Sequence, residues 1–353
     1  MSSTYSFGGA GEGRSTRARI TLQMIAKQLA VSTATVSLAL RDSPLVADAT
    51  KRKVKKVARE LGYTYNRSAA ALRMARTNIV AVALHNILNP FFAEILSCVE
   101  GKAIEQGRTV MFGSCAGESE RQEKVLTTLR EYRPDGLLFC PAEGTRAEHL
   151  DHLIASGIPV VQIVREVEDT GFDFVGLDDE LAGLIAVRHL VALGHTRIAM
   201  LGGSLQVSTG KARHAGYLRA LEEAGIKSDS SLHLQGGETR EAGINGAHWL
   251  MDRRARPTAI FCYNDVVALG AMVGMRQHGL EPGRDISIVG CDDIAESAAS
   301  YPGLTTVRSN HAEMIHRAFD MMSQRAGAAT APPRREQVRP QLVIRGTTAP
   351  HQA

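Results

Sequence analysis

Hydrophobic residues near the start of the chain recur at the spacing of an amphipathic helix. The apolar positions i, i+3, i+4 and i+7 are occupied by Leu22, Ile25, Ala26 and Leu29. This pattern predicts a helix with one buried face, and Thr21 precedes it where an N-cap hydroxyl would stand. After a short interruption, Ser32 can cap a second helix that begins at Thr33 and buries Val36 and Ala39. Two short helices joined by a tight turn are typical of a helix-turn-helix, although an ordinary αα-hairpin has the same pattern.

Beyond residue 78 the pattern changes to apolar runs that alternate with helical stretches. Strands are predicted at 79–84, 109–112, 136–139, 160–163, 198–201, 258–262, 286–289 and 341–344. Helices are predicted at 92–105, 121–132, 181–193, 212–224, 245–251 and 265–278. This alternation indicates parallel sheets in doubly wound α/β domains, and roughly 270 residues exceed one comfortable core, so we expect two lobes. The Pro- and Arg-rich stretch 327–340 is predicted to be a loop.

Charge is distributed unevenly between these two parts of the chain. Residues 1–76 hold 14 of the 41 Lys and Arg but only 4 of the 37 Asp and Glu, whereas residues 77–353 carry a small acidic excess. A third predicted helix carries the densest basic run, formed by Lys51, Arg52, Lys53, Lys55, Lys56 and Arg59. A small three-helix unit with this charge is what phosphate neutralisation on DNA requires, while an ordinary solvated face is the alternative interpretation.

The remaining composition narrows the classes of protein that fit. Residues 1–18 are rich in Gly and Ser without the apolar segment of a signal peptide, and no later stretch is long enough to span a membrane. Five widely spaced cysteines, mostly in apolar segments, indicate buried thiols in a reducing cytoplasm. No phosphate-binding glycine motif between a strand and a helix, nucleophile elbow or metal-ligand cluster stands out. We therefore expect a cytoplasmic protein that is not an enzyme and needs no metal or cofactor.

The residues from Thr21 onward closely resemble one family. The phrases VSTATVS, TKRKV, ELGY and NRSAAAL follow one another within residues 31–72, and this stretch is similar to the headpiece of the lactose-repressor (LacI/GalR) family of bacterial transcription regulators. The resemblance extends over residues 19–346. Together with the composition it predicts a flexible tail at 1–18, a DNA-binding headpiece at 19–64, a hinge at 65–76, an effector-binding and dimerisation core at 77–346, and a tail at 347–353. Within the core it implies an N-lobe at 77–176 and 309–338 and a C-lobe at 177–308 and 339–346.

The headpiece and the hinge carry the expected DNA contacts. Thr33 and Ala34, followed by Leu38, are expected to face the bases. Phosphate and backbone contacts are expected from Thr21, Ser32, Thr35, Ser37 and Arg41. The resemblance implies a hinge helix that is ordered on operator DNA, with contacts from Asn66, Ala69, Leu72 and Arg73; a plain linker is the alternative. Leu72 stands where the family wedges a leucine into the central minor-groove step. Many members carry Arg at the position of Leu38 and a larger polar residue at Ala34, so their operator preferences do not transfer.

A small-molecule site is expected between the two lobes, at the carboxyl ends of the strands. The expected effector-binding residues are Asn89, Phe91, Phe92, Arg213, Asn264 and Asp292. Arg213 and Asp292 match effector-binding residues of the family and could hold hydroxyl groups bidentately. Core packing of the two phenylalanines and a structural ion pair between Arg213 and Asp292 are the alternatives, and Asp265 is expected to be a helix N-cap.

These expectations combine into one function. We expect a homodimeric transcription regulator, acting as a repressor, that binds a pseudo-palindromic double-stranded operator and has no membrane partner. A small effector, expected to be a sugar or a sugar derivative, would bind between the lobes and change the spacing of the two hinges. From the residues alone a purine or another polar metabolite remains open, as does an α/β enzyme on grounds of fold.

Overall fold

The headpiece consists of three helices around a small apolar core. The structure, a computed structural model, describes residues 20–63, 76–327 and 331–352, which form two compact units that separate between Tyr63 and Arg76. The first unit contains α1 (Leu22–Leu29), α2 (Thr33–Leu40) and α3 (Asp48–Glu60). Its core includes Ile25, Val36 and Val54, which are fully buried. Because each of these side chains comes from a different helix, their contacts hold the three helices together.

The second unit alternates strands and helices along its length. Its first part contains β1 (Ile79–Leu84), α4 (Pro90–Glu105), β2 (Thr109–Ser114), α5 (Ser119–Glu131), β3 (Gly136–Phe139), α6 (Asp151–Ile154), β4 (Val160–Ile163) and β5 (Asp173–Leu177). The chain continues with α7 (Asp179–Ala192), β6 (Ile198–Leu201), α8 (Ser208–Glu223), β7 (His233–Leu234), α9 (Arg240–Met251), β8 (Ala259–Cys262), α10 (Asp265–Gln277), β9 (Ser287–Val289) and α11 (Ala295–Ala299). It ends with β10 (Thr306–Arg308), α12 (His311–Arg325), β11 (Arg335–Val338) and β12 (Gln341–Val343). Short 3₁₀ turns lie at Ala147–Leu150 and Ser230–Leu232.

Two parallel sheets define the two lobes of this unit. The N-lobe sheet has six strands in the order β11-β5-β4-β3-β1-β2, and the C-lobe sheet has four in the order β7-β6-β8-β9. The antiparallel pair β10–β12 accompanies the C-lobe. The central strands β3, β4 and β8 are buried at every position because both sheet faces are covered. The predicted fold class, a helical headpiece followed by a core of doubly wound parallel sheets, is confirmed.

The chain changes sheet at several places in the core. It leaves the N-lobe sheet between β5 and α7, returns to it between β10 and α12, and leaves it again between β11 and β12. One continuous apolar cluster contains side chains of both lobes, among them Val82 and Ile163 of the N-lobe and Ile260 and Val267 of the C-lobe. The lobes are therefore packed against each other, and the finer lobe limits given above remain our division of the core.

Several segments differ from the sequence-based expectation, since strands β5, β7 and β10 and helix α12 were not among the elements predicted. The predicted loop 327–340 contains β11, whose residues pair with β5 from Arg335 opposite Phe174 to Val338 opposite Leu177. Strand β11 was missed because its residues are mostly Arg, Glu and Gln. It lies at the edge of the sheet, where polar side chains reach water. Residues 347–351 are not a tail, since Thr347 is fully buried and its hydroxyl donates to the carbonyl oxygen of Ile288 at 2.7 Å.

Candidate DNA-reading helix and effector cleft

Helix α2 begins on a cap that fixes its first turn. Ser32 adopts an extended conformation, and its Oγ accepts a hydrogen bond from the backbone N–H of Thr35 at 3.0 Å. The Ser32 hydroxyl also lies 2.9 Å from the Thr35 hydroxyl. Thr21 caps α1 in the same way, through the N–H of Met24 at 3.4 Å. These hydroxyls satisfy N–H groups that a helix leaves unpaired at its start.

The predicted base-facing residues lie at different depths. Thr33 and Ala34 are exposed in the first turn of α2. Leu38 is half-buried and packs against the headpiece core, so its side chain is shared between the core and the surface. Ser37 is half-buried, and its carbonyl oxygen accepts a hydrogen bond from Nε of Arg41 at 3.1 Å. The exposed first turn therefore offers the most accessible side chains of this helix.

The basic helix α3 carries internal ion pairs that reduce its free positive charge. Lys55 contacts the carboxylate of Asp42, and Lys51 lies 3.0 Å from Asp48. Arg52 and Lys53 are exposed. The predicted hinge contacts, Asn66, Ala69, Leu72 and Arg73, lie outside the described residues and stay predictions.

The second candidate site is a cleft where the carboxyl ends of the strands of both lobes meet. From the N-lobe it receives His85 after β1 and Arg165 after β4, and from the C-lobe it receives Tyr263 after β8 and Asp292 after β9. The Oγ of Ser204 donates to Glu143 across the lobes at 2.8 Å. Gly203 in this cleft has a φ of +79°, and a Cβ there would lie 2.5 Å from the Tyr263 ring, so only glycine fits beneath that ring.

Arg213 is the centre of a buried charge cluster in the C-lobe half of the cleft. Its Nε donates to Oδ1 of Asp179 at 2.8 Å, and its Nη2 lies 3.6 Å from Oδ1 of Asp292. Nη1 donates to the carbonyl oxygen of Tyr263, and the guanidinium lies 4.8 Å from the centre of the Tyr263 ring. All three charged side chains are at most 7% exposed. The closer partner of Arg213 is therefore Asp179, which the sequence did not suggest.

Asp292 is the less fully bonded carboxylate of this cluster. Burial raises its pKa well above the usual range, an effect that the charge of Arg213 opposes. Its backbone has a φ of +134°, a conformation that favours glycine and that costs on the order of 1–3 kcal/mol for other residues. Such strain concentrates at functional positions, because the surrounding structure must enforce it. The carboxylate is thus held in place with capacity to accept further hydrogen bonds.

A second charged group joins the two lobes. Arg165 of the N-lobe donates through Nη2 to Oε1 of Glu238 in the C-lobe, and Nη2 lies 3.5 Å from the hydroxyl of Tyr263. The other Glu238 oxygen lies 3.5 Å from Nε2 of His85. Burial alone would raise the pKa of Glu238, but the bond to His85 and the charge of Arg165 lower it to about 2. Thr209 completes the group at 2.7 Å from the Tyr263 hydroxyl.

The predicted aromatic residues lie behind this charged layer. Phe91 and Phe92 are 4% and 3% exposed and belong to the apolar core, with ring centres 5.1 Å apart. Phe92 lies 5.7 Å from the His85 ring, and Phe91 lies 4.9 Å from the ring of His311. Asn89 is buried and caps α4 through the N–H of Phe91 at 3.1 Å. These side chains support the cleft from behind, and their role as effector contacts stays a prediction.

Helix α10 is capped by Asn264 and not by Asp265, and the effector contact expected of Asn264 stays a prediction. Asn264 is the N-cap of α10, with its Oδ1 accepting from the N–H of Val267 at 2.8 Å. Asp265 is fully buried and accepts hydrogen bonds from the hydroxyls of Ser297 and Thr306. Burial raises the pKa of Asp265 to about 6, although these hydroxyls lower it. The prediction that Asp265 is the cap was wrong, because the cap position is one residue earlier.

Sequence reasoning missed six residues of the cleft, and most of them had a signal that could have revealed them. They are His85, Arg165, Asp179, Thr209, Glu238 and Tyr263. Four of them, His85, Arg165, Asp179 and Tyr263, stand one or two positions beyond the end of a strand, so a search of every strand end would have found these four. A cavity of about 390 Å³ opens beside this group, lined by Glu143, Ser204, Gln235, Gly236, Gly237 and Glu238. That volume is within the range of small-molecule sites.

Two negative observations concern the described part of the chain. No group of three or more His, Cys, Asp or Glu side chains there converges so that it could hold a metal ion. None of the helices described has the length and hydrophobicity that a membrane crossing needs.

A basic helix-turn-helix unit joined to two lobes with a polar cleft defines a class, the transcription regulators with a ligand-binding core. Residues 21–66 match the family described as bacterial regulatory proteins, lacI family, and residues 187–348 match the periplasmic binding protein-like domain. The chain is 33% identical to the HTH-type transcriptional regulator DegA of Bacillus subtilis (strain 168) over 340 residues, 94% of this chain and 99% of that protein. It is 32% identical to the HTH-type transcriptional repressor PurR of Erwinia tasmaniensis, over 93% of this chain and 97% of the relative. The chain therefore belongs to the lacI family and is a DNA-binding transcription regulator rather than an enzyme.

Solved structures agree with this assignment. The lac repressor dimer bound to operator and the anti-inducer ONPF superimposes with a TM-score of 0.82 at 26% identity, covering 94% of this chain and 99% of that one. The transcriptional regulator CelR in complex with cellobiose gives a TM-score of 0.69 at 28% identity, covering 93% and 100%. The family resemblance drawn from the sequence is confirmed.

Proposed function

We propose that the protein is a dimeric repressor whose operator affinity is switched by a small molecule bound between its lobes. The observation that carries this proposal is the presence in one chain of an exposed, capped helix start and a strained, buried charge cluster at a cleft. The first suits contact with DNA, and the second suits recognition of a small polar ligand. Coupling between the two sites must be reciprocal, so operator DNA changes effector affinity by the same factor as effector changes operator affinity.

The headpiece residues have distinct proposed roles. Thr33 and Ala34 face the bases, since they are the exposed residues of the first turn of α2. Ser32 and Thr35 position that turn on the DNA backbone, and Leu38 contributes an apolar contact such as one with a thymine methyl. Leu72, on the basis of the family resemblance, wedges between base pairs at the centre of the operator.

The effector is proposed to be a sugar or a sugar derivative. Arg213 and Asp292 provide fixed donors and acceptors of the kind that hydroxyl groups need. Two related structures were solved with ligands of this class, cellobiose in the complex of CelR and ONPG bound to the lac repressor. Both describe those proteins, and we extend the ligand class to this chain because the polar cleft is present here.

The second subunit of the proposed dimer covers the open edge of the N-lobe sheet. Strand β2 is the last strand at that edge of the sheet; Phe112 on it is 37% exposed, and Ile104 of α4 is 67% exposed. Apolar side chains at a free strand edge are sites of association between chains. A charged residue at Phe112 is expected to shift the protein toward monomer, as measured by light scattering.

The test is selection of bound fragments from the source genome by the purified full-length protein at moderate salt. A sharp pseudo-palindrome is expected, and Leu72→Ala should lose that specificity while retaining salt-sensitive binding to random DNA. Ile154→Ala, an exposed aliphatic residue of α6, is the matched control and should select the same sequence. Equal, sequence-independent binding by all three proteins would contradict the proposal.

A further inference from the structure

Arg165 is a buried cation whose hydrogen bonding is incomplete. Its side chain is 4% exposed, and Nη2 bonds to Glu238 while Nη1 is buried without a partner among the described residues. Arginine binds carboxylates best through two parallel N–H groups, and a buried donor without an acceptor is costly. Nδ1 of His85, on the other side of the same carboxylate, is also buried and unpaired. One acceptor is therefore missing at Arg165.

The present partner of Arg165 comes from the opposite lobe and from the rim of a cavity. Glu238 follows Gly236 and Gly237, and all three line the cavity of about 390 Å³. The Glu238 side chain is 18% exposed, so it borders solvent while its carboxylate reaches Arg165 and His85. Rotation of this side chain would return the carboxylate to water and leave Arg165 free.

Charge balance decides what can replace Glu238. Arg165 and Glu238 together are neutral, and Arg165 stays charged, so leaving it buried without a counter-charge would strongly destabilise the protein. A neutral ligand would have to leave the pair intact. An oxyanion can accept hydrogen bonds from Nη1 and Nη2 together. Because it carries the same negative charge as the Glu238 carboxylate that it replaces, the net buried charge does not change.

We propose that the effector carries an oxyanion, a carboxylate or a phosphate group, which displaces Glu238 from Arg165. This inference rests on the proposed effector function of the cleft and narrows it from sugars in general to acidic or phosphorylated derivatives. Glu238 acts as an internal stand-in for the ligand's anionic group when the cleft is empty. Because Glu238 belongs to the C-lobe and Arg165 to the N-lobe, the exchange also removes a bond between lobes.

The test uses Glu238→Gln and the matched variant Glu143→Gln, which removes the same charge from the same cavity without contact to Arg165. Thermal unfolding of the full-length proteins is followed in sodium chloride with and without glucose, and in acetate, gluconate, inorganic phosphate and glucose 6-phosphate at matched ionic strength. Oxyanions should raise the melting temperature of Glu238→Gln, because they bind the native state at the vacated cation. Chloride and glucose should not, and Glu143→Gln should behave like the unmodified protein.

Dissociation constants of the oxyanions, measured for the unmodified protein and for Glu238→Gln, give a second test. An oxyanion that binds should bind Glu238→Gln more than about tenfold more tightly than the unmodified protein, since a competing charged hydrogen bond has been removed. The double variant Arg165→Gln, Glu238→Gln should lose this gain. A stronger response to gluconate than to glucose 6-phosphate would identify a carboxylate, and the reverse a phosphate.

Two outcomes would overturn the inference: a melting temperature of Glu238→Gln as indifferent to oxyanions as that of Glu143→Gln, or tight binding of glucose with none of gluconate. If Glu238→Gln does not fold in chloride, its refolding yield in acetate or phosphate is measured instead. A yield that these oxyanions do not increase would refute the inference. Operator binding of the unmodified protein, measured by fluorescence anisotropy, distinguishes failure of this inference from failure of the proposed function. Specific operator binding without an oxyanion effect rejects only the effector class, whereas absence of specific DNA binding rejects the proposed function.

Discussion

The headpiece and the cleft differ in where their candidate binding residues lie, both along the chain and relative to solvent. In the headpiece the candidate contact residues lie within one short stretch, and Thr33 and Ala34 are exposed on a scaffold held by an apolar core. In the cleft the candidate residues come from strand ends between His85 and Asp292, most are buried, and several are charged. A surface substitution in the headpiece should therefore change binding with little effect on stability, whereas a cleft substitution changes both.

This difference has a physical origin in solvation. Exposed side chains of α2 keep their water until DNA arrives, so their loss costs the free protein little. The cleft side chains are desolvated in advance, and each charge depends on partners from other segments. Preorganisation of this kind suits a ligand that must be recognised by a few directional bonds, but it ties function to the stability of the core.

The largest expected effect is at Arg213. Arg213→Met should destabilise the core by about 3–5 kcal/mol, because Asp179 and Asp292 would be left buried without their counter-charge. The loss of stability should be smaller at pH 5 than at pH 8. Burial already raises the pKa of both carboxyls, and their protonation would remove the repulsion between the two negative charges. Urea unfolding at the two pH values measures this.

Lys211, an exposed residue two positions earlier in α8, is the control for Arg213. Lys211→Met should change the free energy of unfolding by less than about 0.5 kcal/mol. An equally small effect for Arg213→Met would break the comparison, because the cleft charges would then behave like surface charges.

The next effect is a difference in acid sensitivity. All 12 histidines of the chain lie beyond residue 76, so the headpiece has none. Burial lowers the pKa of His311 from 6.5 to about 4, although Asp293 opposes this. The folded state then binds fewer protons than the unfolded state between these values, so the stability that His311 contributes is present above pH 6.5 and is lost as the pH falls toward 4. The loss should reach about 3 kcal/mol.

Thermal unfolding of the full-length protein between pH 8 and pH 4.5 tests this. His311→Phe should flatten the pH dependence of the core transition, since the new ring can pack against Phe91 without titrating. His316→Gln, at an exposed site on the same helix, should leave the slope unchanged. Identical slopes in all three proteins would show that His311 is not the group that titrates.

The smallest effect is expected in the headpiece. Ser32→Ala removes the cap of α2 and should destabilise the headpiece by about 1 kcal/mol. Operator affinity should fall uniformly across sequences, because Ser32 positions the helix and does not read bases. Ser37→Ala, which removes a hydroxyl from the same helix but no cap, is the control for the loss of stability, measured by thermal unfolding. Competition binding with a set of operator variants measures both; a changed sequence preference in Ser32→Ala would assign it a reading role.

The sequence predicted the headpiece in detail and the core in outline. The three helices and the caps at Thr21 and Ser32 follow from spacing within a few residues, because helices and their caps are local structures. Most strands buried on both faces were visible as apolar runs, but β5, which is also buried at every position, was not. The edge strand β11 was also missed, because its polar residues are of the kind expected in a loop.

The tertiary structure alone decided the partners in the cleft. Asp179 pairs with Arg213 across 34 positions, and Glu238 pairs with Arg165 across 73. No local spacing encodes such pairs, because they depend on which strand ends become neighbours when the two sheets form. The strained backbone of Asp292 and the burial of Thr347 have the same origin, since both are imposed by segments distant in the chain. The amino-acid sequence thus determined by itself the headpiece helices, the alternation of strands and helices in the core and the class of protein, and long-range packing determined which charges meet.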